Sequence, residues 1–226
     1  MTLGTRRLDR GAKLLKGALV DLNADGIVSS AGVVTRWNNS GSGGSAYDLA
    51  TVIGTAANLT LSTLNGVPCV HAAGGVGIET TVAPALITTP MTMFLVGKAD
   101  GLGVVQVFSS GRSIPSSAPT WYYDSGNVIR FNAGVDANIG TADTDVHLFT
   151  ARYNGDGSSK FSVSGQSEVT TSGGTEAYDY GSLFSNPGNA TLTLTGSIGR
   201  HIIFDYELSD ADVKLIQERL SIEHGV

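Results

Sequence analysis

Residues 198–226, IGRHIIFDYELSDADVKLIQERLSIEHGV, hold two kinds of order side by side. The opening, with Ile198, Ile202, Ile203 and Phe204, is rich in the β-branched and aromatic side chains that favour an extended chain. The remainder reads as one helix. Ser209 is a good N-cap, and Asp212 three residues on completes a capping box and faces the positive helix end. Leu208 and Val213 are spaced to form a hydrophobic staple. Val213, Ile216 and Leu220 recur at helical spacing with Leu215 beside them, while Asp210, Lys214 and Gln217 take the wet side and Gly225 is the stop. One apolar stripe means one buried face, so this helix must lie against a body built of something else.

Upstream, that body reads as strands. Met91 to Val96, MTMFLV, is an apolar run expected as a central strand. TWYY and VIRF flank Asp124-Ser-Gly-Asn127, a hairpin turn, and Asn154-Gly-Asp-Gly157 joins two alternating runs in the same way. Asn65-Gly66 is a further tight turn. The 30 glycines against 6 prolines, with no collagen period, fit many turns between many strands. Segment 168–189 reads as loose. Strand after strand with turn signals between predicts an all-β sandwich or barrel. With no break in composition, the chain divides into a basic N-terminal arm at 1–14 and one domain at 15–226.

The net charge is −6 with 15% charged residues, below the usual share of about 25%. An acidic, lightly charged surface without a Lys/Arg cluster argues against nucleic acid as a partner. No apolar stretch is long enough to insert in a membrane or to serve as a signal. Cys69 stands alone, so no internal disulfide forms.

Several segments resemble laminin-G-like, concanavalin-A-like jelly-roll domains, the fold of many lectins and glucanases. DGIVSSAGVVTRWNNSGSGGSAYDL is similar to their opening, with Asn38 or Asn39 where an aspartate is usual. LNGVPCVHAAGGVGIET and MTMFLVGKA resemble the next two segments, and residues 198–226 resemble the closing strand and helix. The resemblance implies a jelly-roll sandwich of two antiparallel sheets with a short C-terminal helix. Domains of this kind occur in bacteriophage structural proteins. VSGQ replaces the usual V-D-G hairpin, and GALVDLNA lacks the usual tryptophan.

Candidate sites fall into two groups. Asp21, Asn23, Asp25 and Gly26 match the first half of a calcium loop, but the twelfth position is Gly32, so a complete EF-hand is excluded. A metal-free, Asx-rich turn is the competing reading. Asp136, Asn138, Asp143 and Asp145 offer further loop oxygens. Trp121, Tyr122 and Tyr123 are consecutive, so in a strand they cannot all face inward. Together with Asp124 and Asn127 they have the composition of a carbohydrate-binding surface, rings to stack on a sugar and polar groups for its hydroxyls. Tyr178 and Tyr180 form a second such group. Equally, these rings could fill a sandwich end or a subunit contact. Asp205 and Glu207 alternate on one strand face, so a paired role is geometrically possible, but a structural or solvent-facing role is the favoured reading.

The expectation is a non-enzymatic virion-surface or tail-associated protein with glycan-binding capacity. Its expected partners are a surface glycan or other virion proteins, with a homo-oligomer allowed and calcium the only cofactor suggested. A free-standing carbohydrate-binding module and a jelly-roll lyase or hydrolase are the alternatives.

Overall fold

The computed structural model describes residues 3–81, 84–111, 119–155, 157–178, 181–186 and 189–226, with side chains from residue 9 onward except at 189–191. Two antiparallel sheets face one another. One runs Val169–Thr171, Ser159–Val163, His147–Tyr153, Met91–Ala99 and Thr195–Phe204. Beyond Thr195–Phe204, Val20–Leu22 and Val67–Ala73 divide the next position, and Leu59–Leu64 completes the edge. The other runs Leu49–Gly54, Val76–Thr80, Ser182–Leu183, Gln106–Ser110, Thr120–Tyr123, Val128–Asn132 and Asp136–Thr141. The hairpin Ile27–Ser30/Val33–Trp37 links the sheets through single pairings at Trp37–Leu49 and Val33–Thr60. This is a jelly-roll sandwich of two antiparallel sheets with a short C-terminal helix.

Trp37, Phe108, Trp121, Tyr123, Phe131, Phe149 and Phe161 fill the space between the sheets. A second core, with Cys69, Phe94, Val96, Leu148, Ile202 and Phe204, lies on the far side of the first sheet and is roofed by Val213, Ile216 and Leu220 of the C-terminal helix, Asp210–His224. Met91–Ala99 and His147–Tyr153 therefore carry almost unbroken burial rather than alternation, because both their faces are covered.

The helix begins as its sequence predicts. The Ser209 hydroxyl accepts from the Asp212 backbone N–H at 3.2 Å and donates to the Asp212 carboxylate at 2.8 Å, and Gly225 ends the helix at φ 67°. The stretch expected to be a basic arm is a second helix, Leu3–Leu15, packed on the first. Gly11 permits this approach: a Cβ there would stand 3.3 Å from the Leu215 carbonyl oxygen. Segment 168–189 also holds short strands. Ser185–Asn186 pairs with Asn189–Thr193, and this ribbon packs onto Val76–Thr80 and Gln106–Ser110. Gly77 makes room for it, since a Cβ would fall 1.9 Å from the Ser185 Oγ.

Candidate functional site: an open concavity on the second sheet

Alternation decides which aromatic is available. Trp121 and Tyr123 point into the inter-sheet core and are fully buried, with Trp121 against Phe131 at 5.1 Å and Tyr123 against Phe108 at 4.8 Å between ring centroids. Tyr122 faces outward and is half-buried. Neither Trp121 nor Tyr123 can stack on a ligand or form a subunit contact, because the protomer's own core holds them. Tyr178 is likewise buried, lying where a Cβ at Gly111 would meet its ring at 2.3 Å. Tyr180 lies outside the described residues.

Around Tyr122 the outward face of the second sheet forms a concavity of about 320 Å³, lined by Val105, Val107, Thr120, Tyr122, Asn132, Asp136, Asn186 and Leu192. Strand register places the polar members. Thr120 pairs with Asn132, and Asn132 with Asp136, so three strands bring these side chains into one row beside the tyrosine. The Tyr122 hydroxyl donates to Asp136 Oδ1 at 2.8 Å, and Asn132 Nδ2 donates to the same oxygen at 2.5 Å. Burial, then this bond to a carboxylate, pushes the Tyr122 phenol well above its ordinary pKa, so it remains a neutral donor. Asn186 is buried with its Oδ1 unpartnered, and Leu192 supplies apolar wall from the ribbon.

Asp124 and Asn127 hold the turn that shapes this face. Asp124 Oδ1 accepts from the backbone N–H groups of Gly126 and Val128 at 2.8 and 2.9 Å, and Oδ2 accepts from Arg130 Nε at 2.6 Å. The Val128 backbone bond above all, with Arg130 and Gly126, lowers the Asp124 pKa. Asn127, at φ 60°, accepts from the Gly103 N–H at 2.8 Å and so fastens a neighbouring loop. Both serve the scaffold rather than the concavity. Asn132, Asn186 and Thr120 were not singled out from the sequence. Asn132 and Thr120 follow from extending the hairpin register outward from Asp124–Asn127. Asn186 and Leu192 arrive from more than fifty residues away, with no local signal.

The calcium-like loop lies elsewhere and is built differently. Asp21 turns inward, where its two oxygens accept from Arg200 Nε and Nη2 at 3.0 and 2.9 Å. Arg200 Nη1 spans both oxygens of Glu223 at 3.0 and 2.8 Å. Asn23 accepts from the Asp25 N–H at 3.1 Å as the cap of a short 3-10 turn, while Asp25 is exposed. A guanidinium thus stands where a cation would have to bind Asp21. Chelation is accordingly expected to leave the melting temperature unchanged, and a fall on adding a calcium chelator would show that an ion displaces Arg200 in solution. Asp143 accepts from His147 Nε2 at 2.8 Å and from the Asp145 N–H at 2.7 Å, away from Asp136, so the second set of loop oxygens does not converge. Among the described residues no group of three His, Cys, Asp or Glu side chains is placed to hold a metal. No described helix is long and apolar enough to cross a membrane.

The fold is a jelly-roll sandwich of two antiparallel sheets. No family model matches the sequence, and no curated protein does. Among solved structures the chain is similar to Trypanosoma rangeli sialidase in complex with sialic acid, at 13% identity and TM-score 0.62, covering 97% of this chain and 38% of that one. It is also similar to the Ruminococcus gnavus IT-sialidase CBM40 bound to α2,3-sialyllactose, at 14% identity and TM-score 0.50 over 67% of this chain and 96% of that one. A third is botulinum neurotoxin type C, whose cell entry depends on interaction with two ganglioside molecules, at 12% identity and TM-score 0.60 over 92% and 53%. The chain spans 38% of the length of the sialidases it matches. At these identities the likeness is one of fold.

Proposed function

We propose that this chain is a glycan-binding domain that acts without catalysis, of the kind carried on a virion surface or tail. The observation that carries the reading is the concavity: a half-buried tyrosine ring, apolar walls and a row of Asn, Thr and Asp side chains, the combination that holds a sugar ring by one face and its hydroxyls by their edges. The solved structures of similar fold include a sialidase carbohydrate-binding module and a ganglioside-dependent toxin, which supports a sugar as the ligand class. A non-catalytic role is supported by the carboxylates. Asp124 is held ionised by backbone donors and Arg130, the opposite of what a general acid needs. Asp205 and Glu207 are exposed in the link before the C-terminal helix, outside the concavity. The virion setting rests on the resemblance to bacteriophage jelly rolls.

The test is a glycan microarray probed with the labelled chain, followed by titration of the best ligand. Tyr122→Ala is expected to weaken binding by at least about tenfold, since an aromatic contact contributes on the order of a kcal/mol beyond its buried area. Because Tyr122 is outside the core, its removal is expected to leave the near-ultraviolet circular dichroism of the buried aromatics in place. Unchanged affinity in that variant would move the site elsewhere, and an array without hits would remove the glycan reading.

A further inference from the structure

Charge around Tyr122 narrows the ligand class. Among its described lining residues the concavity contains one carboxylate, Asp136, and no cationic side chain. Among the described residues, strand register sets the cation Arg130 beside Tyr122, and its Nε is already bound to Asp124 at 2.6 Å. Among the described residues, two carboxylates, Asp124 and Asp136, against one guanidinium give this patch one net negative charge. The chain as a whole carries −6. Among the described residues, a sugar carboxylate entering here would lose water, would find only a guanidinium already paired with Asp124, and would meet Asp136 at close range.

The same atoms suit neutral hydroxyls. Tyr122 and Asn132 both donate to Oδ1 of Asp136, which fixes the carboxylate, while Oδ2 accepts no bond among the described residues. An anchored carboxylate oxygen accepts a hydroxyl proton in a charge-assisted bond, stronger than a neutral one. Asn186 adds a buried carbonyl oxygen with no donor of its own at the wall of the concavity. Acceptors without partners call for a ligand rich in donors.

Resting on the glycan reading above, we infer that the Tyr122 concavity selects uncharged sugars and rejects sialic and uronic acids.

The experiment compares matched pairs, such as lactose and α2,3-sialyllactose and other neutral glycans with their sialylated or uronic counterparts, on the array and by ligand-observed NMR. Preference for the neutral member by about tenfold or more is expected. Asp136→Asn should weaken the neutral ligand and narrow the gap between the two members, a change that a purely structural role would not produce. Asp136→Lys, on the exposed rim, should reverse the preference. Tyr122-dependent binding that favours the sialylated member would overturn the charge inference and leave the glycan reading standing. Neutral binding unaffected by Asp136→Asn would also overturn it. Binding of neither member anywhere on the array would overturn both.

Discussion

Arg200→Ala is expected to destabilise the fold by about 3–5 kcal/mol, the usual cost of stranding one partner of a buried ion pair. Arg200 and Asp21 are nine-tenths buried, and the pair ties Val20–Leu22 to the closing strand beside it while Glu223 ties both to the C-terminal helix. Burial opposes the charge on Arg200, yet its hydrogen bonds to Asp21 and Glu223 outweigh that and raise its pKa. Without the guanidinium, Asp21 would face the second core and the underside of the helix unpaired. Urea titration measures the loss. The double variant Asp21→Leu/Arg200→Met should recover most of it, since apolar side chains of similar size replace a buried pair at little cost. A single Arg200→Ala within 1 kcal/mol of the parent would mean that water reaches Asp21 and the pair is in effect a surface one.

Acidification is the second large effect. His201 shares a face with Ile203, and its cross-strand neighbours Leu22 and Leu95 belong to the inter-sheet core. Neither ring nitrogen has a hydrogen-bond partner. Burial depresses its pKa from 6.5 to about 4. The folded value lies below the unfolded one, so the unfolded chain takes up the proton first. Stability is whole above pH 6.5 and is lost as pH falls toward 4. The loss from this residue is about 2 kcal/mol at pH 5 and ~3 kcal/mol below pH 4. His224, also buried and also depressed, adds a loss of the same sign. Chemical denaturation between pH 7 and 4 should show the decline, and His201→Leu should make it shallower while leaving the part due to His224. Parallel profiles for parent and variant would place the titrating group elsewhere.

Much of the architecture was legible in the sequence because its signals are local. The Ser209 cap, the Gly225 stop and the turns at Asn65-Gly66 and Asp124–Asn127 each depend on a few adjacent residues, and each is where the sequence places it. The Leu3–Leu15 helix was not legible. A glycine at its centre argues against a helix, and its reason is a contact with Leu215, some two hundred residues on. The concavity was half legible. Three consecutive aromatics required one to face out, but only the position of the core showed that it is Tyr122. Asp21 was misleading for a related reason. Its spacing to Asn23 and Asp25 is that of a metal loop, and the cation that answers it, Arg200, is a side chain of the closing strand.

The two helices lie against each other on the outside of the first sheet, and Tyr122 opens on the outside of the second. Both terminal helices therefore sit at the back of the molecule. A bead, a fluorophore or a neighbouring domain attached at either end would act as a handle, with the Tyr122 concavity turned outward. Several copies gathered by that back surface would present their concavities in parallel, and weak single contacts would then add up to durable attachment.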